Sequence, residues 1–168
     1  MNKFKVQLIK NNFVLEENSW QSLNSKGFGE KLDNLFSLNV YEVLFLINKN
    51  KIEVINSKNK KVEFNEIIKK LKVDINVFLV YSDLVKKGYN VQSGLRYGVD
   101  FRIYEKGVAV GDGHSEWLVV VVSHKDKLAV SDFASFNRVA HSTKKKLLNA
   151  VIDIENDVTY FESSWTKM

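Results

Sequence analysis

The run Trp117-Leu118-Val119-Val120-Val121-Val122 constrains this chain more than any other segment. Successive side chains of a strand point to opposite faces, so an unbroken apolar run needs cover on both. Such a strand belongs in the middle of a sheet with helices packed on either side, and the surrounding sequence supplies those layers. Residues 89–91, 98–106 and 114–123 read as strands in order. Residues 147–152 and 158–161 read as a closing strand pair around the turn Glu155-Asn156-Asp157. A helix is predicted from Ile75 through Phe78, Tyr81 and Val85. It stops at Lys86-Lys87-Gly88, where lysines suit the C-terminal end of the helix dipole and glycine can take the left-handed cap. A further helix is predicted after an N-cap at Ser131, holding Phe133, Phe136, Val139 and Ala140 inward.

Upstream, Phe4, Val6 and Leu8 alternate, Asn11-Asn12 turns, and Phe13-Val14-Leu15 returns as the second arm of a hairpin. Ser37 is read as the N-cap of a helix carrying Leu38, Tyr41, Leu44, Phe45 and Ile47 and ending near Asn48. Residues 51–56 alternate as a strand, 57–61 form a polar turn, and a short helix runs from Asn65 to about Lys72. The pattern changes near residues 72–76 without a Pro, Gly or Ser linker. The expected fold class is therefore α+β in two small domains: an N-terminal α+β unit, 1–74, and a C-terminal mixed β-sheet flanked by helices, 75–168.

Composition narrows the chemistry. At 168 residues, with 45% hydrophobic, 12% aromatic and 27% charged residues, the chain has what a soluble globular protein needs. No apolar run approaches the roughly 20 residues of a membrane-spanning helix, and the start alternates like a strand instead of carrying a signal-peptide block. A cytoplasmic location with no membrane partner is expected. Cysteine is absent, which excludes disulfides, thiolate metal sites and cysteine nucleophiles together. The formal net charge of +5 permits a polyanionic partner.

Three positions carry candidate chemistry. In 98–106, Val99, Phe101 and Ile103 share one face, while Asp100, Arg102 and Tyr104 share the other, polar one. His114 follows Gly111-Asp112-Gly113 at the mouth of the apolar strand. An imidazole, with an ordinary pKa of about 6.5, suits proton transfer there. Within Lys144-Lys145-Lys146, alternation turns Lys145 away from its neighbours, toward the ends of the Tyr104 and His114 strands. An ammonium group there would offset charge on a phosphorane without a metal. The histidines show none of the HxH, HxxH or HExxH spacings, so neither a metal site nor a cofactor is expected.

The segments YSDLVKKGYNVQSGLRYGVDFRIYEKG, GHSEWLVVVV and FNRVAHSTKKKLLNAVID, in this order and spacing, resemble the catalytic domain of archaeal tRNA-splicing endonucleases. The resemblance covers Tyr81 to Tyr160 closely, Phe36 to Glu53 more loosely and the first 30 residues barely. It implies a restriction-endonuclease-like catalytic domain with a catalytic triad of Tyr104, His114 and Lys145. The tyrosine takes the proton of a ribose 2′-hydroxyl, the histidine protonates the departing 5′ oxygen, and the lysine steadies the charge on phosphorus. The ends left are a 2′,3′-cyclic phosphate and a 5′-hydroxyl. A free phenol, with a pKa of about 10, is a poor base at neutral pH, so the neighbouring Lys145 would be needed to favour phenolate. The implied substrate is precursor tRNA folded into a bulge-helix-bulge. Arg138 matches an arginine that stacks on a bulged base across a subunit interface, with Tyr160 at its partner's position.

The resemblance also implies assembly, as a homo-oligomer or as a heterotetramer with a paralogous non-catalytic subunit. Family members insert an acidic loop, placed after the histidine strand, into the opposing subunit. Here that loop reads Ser123-His124-Lys125-Asp126-Lys127, with Asp126 as its one acid, which departs from the family pattern and leaves room for a heterotetramer whose paralogue supplies complementary charge. The alternative reading is a non-catalytic, RNA-positioning subunit of the same complex. The intact Tyr104, His114 and Lys145 argue against it.

Overall fold

A computed structural model describes residues 3–32, 34–107, 113–166 and 168. The chain forms two compact units, Met1–Asp74 and Ile75–Met168. Both mix helices with a five-stranded sheet, which makes the chain α+β. Among the described residues no helix is long and apolar enough to cross a membrane.

The first unit contains β1 (Phe4–Ile9), β2 (Asn12–Leu15), α1 (Glu17–Asn24), β3 (Glu30–Leu32), β4 (Leu35–Leu38), α2 (Val40–Asn48), β5 (Ile52–Asn56) and α3 (Phe64–Leu71). The sheet runs β3-β4-β2-β1-β5, and only the β1–β5 pair is parallel. The alternation of Val6 and Leu8 buries both, along with Phe13, Leu15 and Val54. Helix α2 adds Val43, Leu44 and Leu46 to the core. Ser37 does not cap α2. It lies in β4, paired with Val14 and Glu30, because Leu38 is still held in the ladder opposite Phe13. The first residue free to leave the sheet is Asn39, which forms a capping box with Glu42. Elements α1, β3 and β4 fall where the sequence predicts none. Within α1 only Leu23 is buried, so its period is too faint to register.

The second unit contains α4 (Ile75–Lys86), β6 (Asn90–Ser93), a 3-10 turn (Leu95–Tyr97), β7 (Phe101–Tyr104), β8 (Trp117–Ser123), α5 (Val130–Ser142), β9 (Lys146–Ile152) and β10 (Val158–Ser163). Strand order is β10-β9-β8-β7-β6, so the apolar strand β8 is central as its composition demands. The β8–β9 pair is parallel and the others are antiparallel, giving the expected mixed sheet. Helix α4 covers one face, where Tyr81 meets Phe101 with ring centroids 5.7 Å apart. The other face carries α5 over a cluster of Val99, Leu118, Val120, Ala140 and Leu147, with Tyr97, Phe136 and Val139 packed against it.

Three expectations change here. Cover on both faces of β8 is complete over Leu118–Val120 and thins at Val121 and Val122, which are half-buried. The N-cap of α5 is Ala129, without a side-chain cap, so Ser131 lies inside the first turn and Phe133 is 38% exposed. Strand β7 is shorter than 98–106, because the chain before it is committed to a tight turn. A β-carbon on Gly94 would lie 2.6 Å from Val99 and 2.8 Å from the Phe101 backbone, and Gly98 closes the 3-10 turn at φ 71°.

Candidate active site

Sheet direction brings distant segments together. Strand β7 runs antiparallel to β8 and β8 runs parallel to β9, so the C-terminal end of β7 and the N-terminal ends of β8 and β9 lie at one end of the sheet. Tyr104 is the last residue of β7, His114 comes shortly before β8, and Lys145 immediately precedes β9. With neighbouring strands about 4.8 Å apart, the three positions span two strand spacings, about 10 Å. Backbone hydrogen bonds tie the edge: Glu116 N donates to the Ile103 carbonyl and Lys146 N to the Glu116 carbonyl, both at 2.9 Å.

Lys145 is held by its surroundings. After α5 ends, Lys144 takes the left-handed conformation at φ 54° and turns the chain into β9. Lys146 pairs with Trp117 on the α4 side of the sheet, so Lys145 leaves on the α5 side. Its Nζ donates to the Ser115 carbonyl at 2.7 Å and lies 5.9 Å from the centre of the Tyr97 ring. The amine is thereby fixed one residue from His114, which is exposed. Of the preceding loop, Gly111 and Asp112 lie outside the described residues.

Tyr104 differs from its expected setting. It does share a strand face with Arg102, but that face is covered and Tyr104 is only 3% exposed. The Arg102 guanidinium lies 5.8 Å from the centre of its ring. Alternation puts Arg102 with Tyr104, but Val99 does not share the face of Phe101 as expected: it precedes β7 and packs with Leu118 on the α5 side, while Phe101 meets Tyr81 of α4.

The same end carries a group of charges on the α4 side. Lys146 Nζ is 2.9 Å from Glu116 and 3.8 Å from Glu162, and Trp117 Nε1 donates to Glu162 at 2.9 Å. The Lys146 ammonium holds the Glu116 carboxyl below its ordinary range, while the Glu116 carboxyl beside it pushes Glu105 up. Among the described residues no three His, Asp or Glu side chains gather as a metal site would require.

The remaining candidates are dispersed. Arg138 is exposed on α5. Tyr160 faces the other way, into the α4 side, where its hydroxyl donates to Asp83 at 2.6 Å and Lys87 stands 5.7 Å from its ring centre. Burial, and then the Asp83 carboxylate, push the Tyr160 hydroxyl well above the usual phenol range. Within one chain, Arg138 and Tyr160 thus serve opposite faces of the sheet. Asp126 follows the C-terminal end of β8, at the far end of the sheet from Lys145, and accepts from Ser123 N at 2.7 Å within its own turn. Two contributors at the site end escape the sequence reading: the Ser115 carbonyl and Tyr97. A main-chain acceptor leaves no residue signal, and Tyr97 reads as part of a turn.

The family described as the tRNA intron endonuclease catalytic C-terminal domain matches residues 75–160, and the corresponding N-terminal domain family matches 5–68. A protein of Methanococcus vannielii named tRNA-splicing endonuclease is 36% identical over 162 residues, 92% of this chain and 89% of that protein. One of the same name from Thermococcus kodakarensis is 36% identical over 160 residues, 92% of this chain and 93% of that protein. Another, from Methanothermobacter thermautotrophicus, is 37% identical over 142 residues, 83% of each chain. With both domain families matched in order and archaeal relatives aligned along most of its length, the chain belongs to the tRNA intron endonuclease family.

Proposed function

We propose that this protein cuts introns out of precursor tRNA at bulge-helix-bulge splice sites, using Tyr104, His114 and Lys145 and no metal. Tyr104, as phenolate, accepts the proton of the 2′-hydroxyl at the splice site, and the freed oxygen attacks the adjacent 3′ phosphorus. The bond from phosphorus to the 5′ oxygen breaks as His114 delivers a proton to that oxygen. The Lys145 ammonium offsets the charge on the five-coordinate phosphorus. The products are a 2′,3′-cyclic phosphate and a 5′-hydroxyl, and no water is consumed. The observation that carries this reading is the meeting of three strand ends, with Lys145 Nζ anchored 2.7 Å from the carbonyl of the residue after His114.

In the same reading the units 1–74 and 75–168 act as the N-terminal and catalytic domains, the latter restriction-endonuclease-like, in a cytoplasmic enzyme. Arg138, exposed on α5, stacks on a bulged base. Tyr160 stands at the position of that arginine's partner, with its hydroxyl held by Asp83 and Lys87 over its ring. The protein works as a homo-oligomer or as a heterotetramer with a non-catalytic paralogue, and the loop bearing Asp126 contributes to assembly.

The test is incubation with a bulge-helix-bulge RNA in excess EDTA, alone and with any paralogue. Cleavage to cyclic-phosphate ends is expected, and a single 2′-deoxy nucleotide at the splice site should abolish it. Absence of cutting in both conditions contradicts the proposal. Unchanged cleavage by a reconstituted complex carrying His114→Ala would place the active site in the partner.

A further inference from the structure

Arg102 stands two residues before Tyr104 on β7, so both side chains leave the strand on the same face. Its ladder partners are Gln92 on β6 and Leu118 on β8, 5% and 0% exposed. An arginine at a surface normally buries its stem and keeps its head in water. Here the Nε atom is buried and meets no hydrogen-bond acceptor among the described residues. Its guanidinium carbon lies 5.8 Å from the centre of the Tyr104 ring, within cation–π range. Arg102 as a whole is half-buried, and its Nε makes no hydrogen bond that would account for a cation here. An apolar side chain would pack beside Leu118 and remove an unsatisfied donor, which is a destabilising feature wherever it occurs.

The reaction does give a reason. Tyr104 can accept a proton only as phenolate, and its ring must be held where the ribose hydroxyl arrives. Lys145 immediately precedes β9, on the other side of β8, with its amine tied to the Ser115 carbonyl beside Tyr97. The cation placed against the Tyr104 ring is that of Arg102. We propose that Arg102 is a positioning residue of the active site, which clamps the Tyr104 ring and favours its phenolate form through a fixed positive charge. It acts through Tyr104 and needs no contact with RNA. This inference rests on the assignment of Tyr104 as the base.

The experiment compares single-turnover and steady-state cleavage of a bulge-helix-bulge RNA by Arg102→Leu, Arg102→Lys, Tyr104→Phe and the double variant Arg102→Leu/Tyr104→Phe, with melting temperatures for each. Arg102→Leu is expected to lower kcat about 10- to 100-fold, the scale of a misplaced reacting group, with KM unchanged and Tm equal or higher. Arg102→Lys should recover most of the loss. The double variant should be no slower than Tyr104→Phe alone, because the arginine has nothing left to act through. Arg102→Met serves if the leucine variant does not fold. Wild-type kcat in Arg102→Leu, or losses that multiply in the double variant, would overturn the proposal while leaving Tyr104 in place. An active Tyr104→Phe would overturn the assignment of the base and this inference with it.

Discussion

Glu42 in the N-terminal unit and Arg102 in the C-terminal unit are both charged side chains with polar atoms withdrawn from water, and those atoms fare differently. Both carboxylate oxygens of Glu42 are used, one by Gly29 N and one by Asn39 N, each at 2.8 Å. These bonds join the loop before β3 to the start of α2, and Glu42 is 1% exposed. Arg102 keeps a buried Nε without an acceptor and leans on the ring of Tyr104. A buried polar group with every partner in place belongs to the fold. The role proposed for Arg102 would account for the one left partly unsatisfied beside Tyr104.

That contrast can be broken first at the site. His114→Ala and Tyr104→Phe should each slow cleavage by at least about 100-fold, the usual loss for a general acid or base. Both should leave urea unfolding of the protein nearly unchanged, and a large fall in stability would make either residue a structural one. Glu42→Ala should do the reverse. It strands the N–H groups of Gly29 and Asn39 and costs about 2–5 kcal/mol of stability, read from the urea midpoint, since each buried unsatisfied donor costs about 1–3 kcal/mol.

The pH dependence of unfolding sharpens the same comparison. Burial raises the Glu42 carboxyl from the ordinary 4.5 to about 7, against the pull of the Gly29 and Asn39 N–H groups. The folded state thus holds this proton more tightly than the unfolded chain does. The resulting stabilisation is fully present below about 4.5 and lost as pH rises through about 7. Its size is on the order of 3 kcal/mol by linkage. Glu42→Gln should flatten that part of the profile, and an unchanged slope would show that Glu42 is not its source. The smallest effect belongs to Lys146→Ala. Its pair with Glu116 is half exposed, so stability should barely change and cleavage should be nearly normal, whereas Lys145→Ala should be severely slowed.

Much of this arrangement was legible in the sequence. The Trp117–Val122 run identifies the central strand, and alternation puts Arg102 with Tyr104 and sets Lys145 apart from Lys146. What stayed hidden was mostly main chain or cover. The capping of α2 turned on how far the β2–β4 ladder extends, which moved the cap from Ser37 to Asn39. The grip on Lys145 comes from a carbonyl, which no residue type announces. The burial of Tyr104, 3% exposed on a face read as polar, could not be seen from alternation. Short elements such as α1, with Leu23 alone buried, carry too little period to be read at all.

The convergence of three side chains on one phosphodiester is tested most directly with a splice-site RNA in which sulfur replaces the bridging 5′ oxygen. A thiolate leaves without needing a proton, so His114→Ala should cut this substrate at close to the wild-type rate, while Tyr104→Phe should remain slow on it. A His114→Ala enzyme equally impaired on the oxygen and sulfur substrates would contradict the role of His114 as the acid, and with it the geometry of the site.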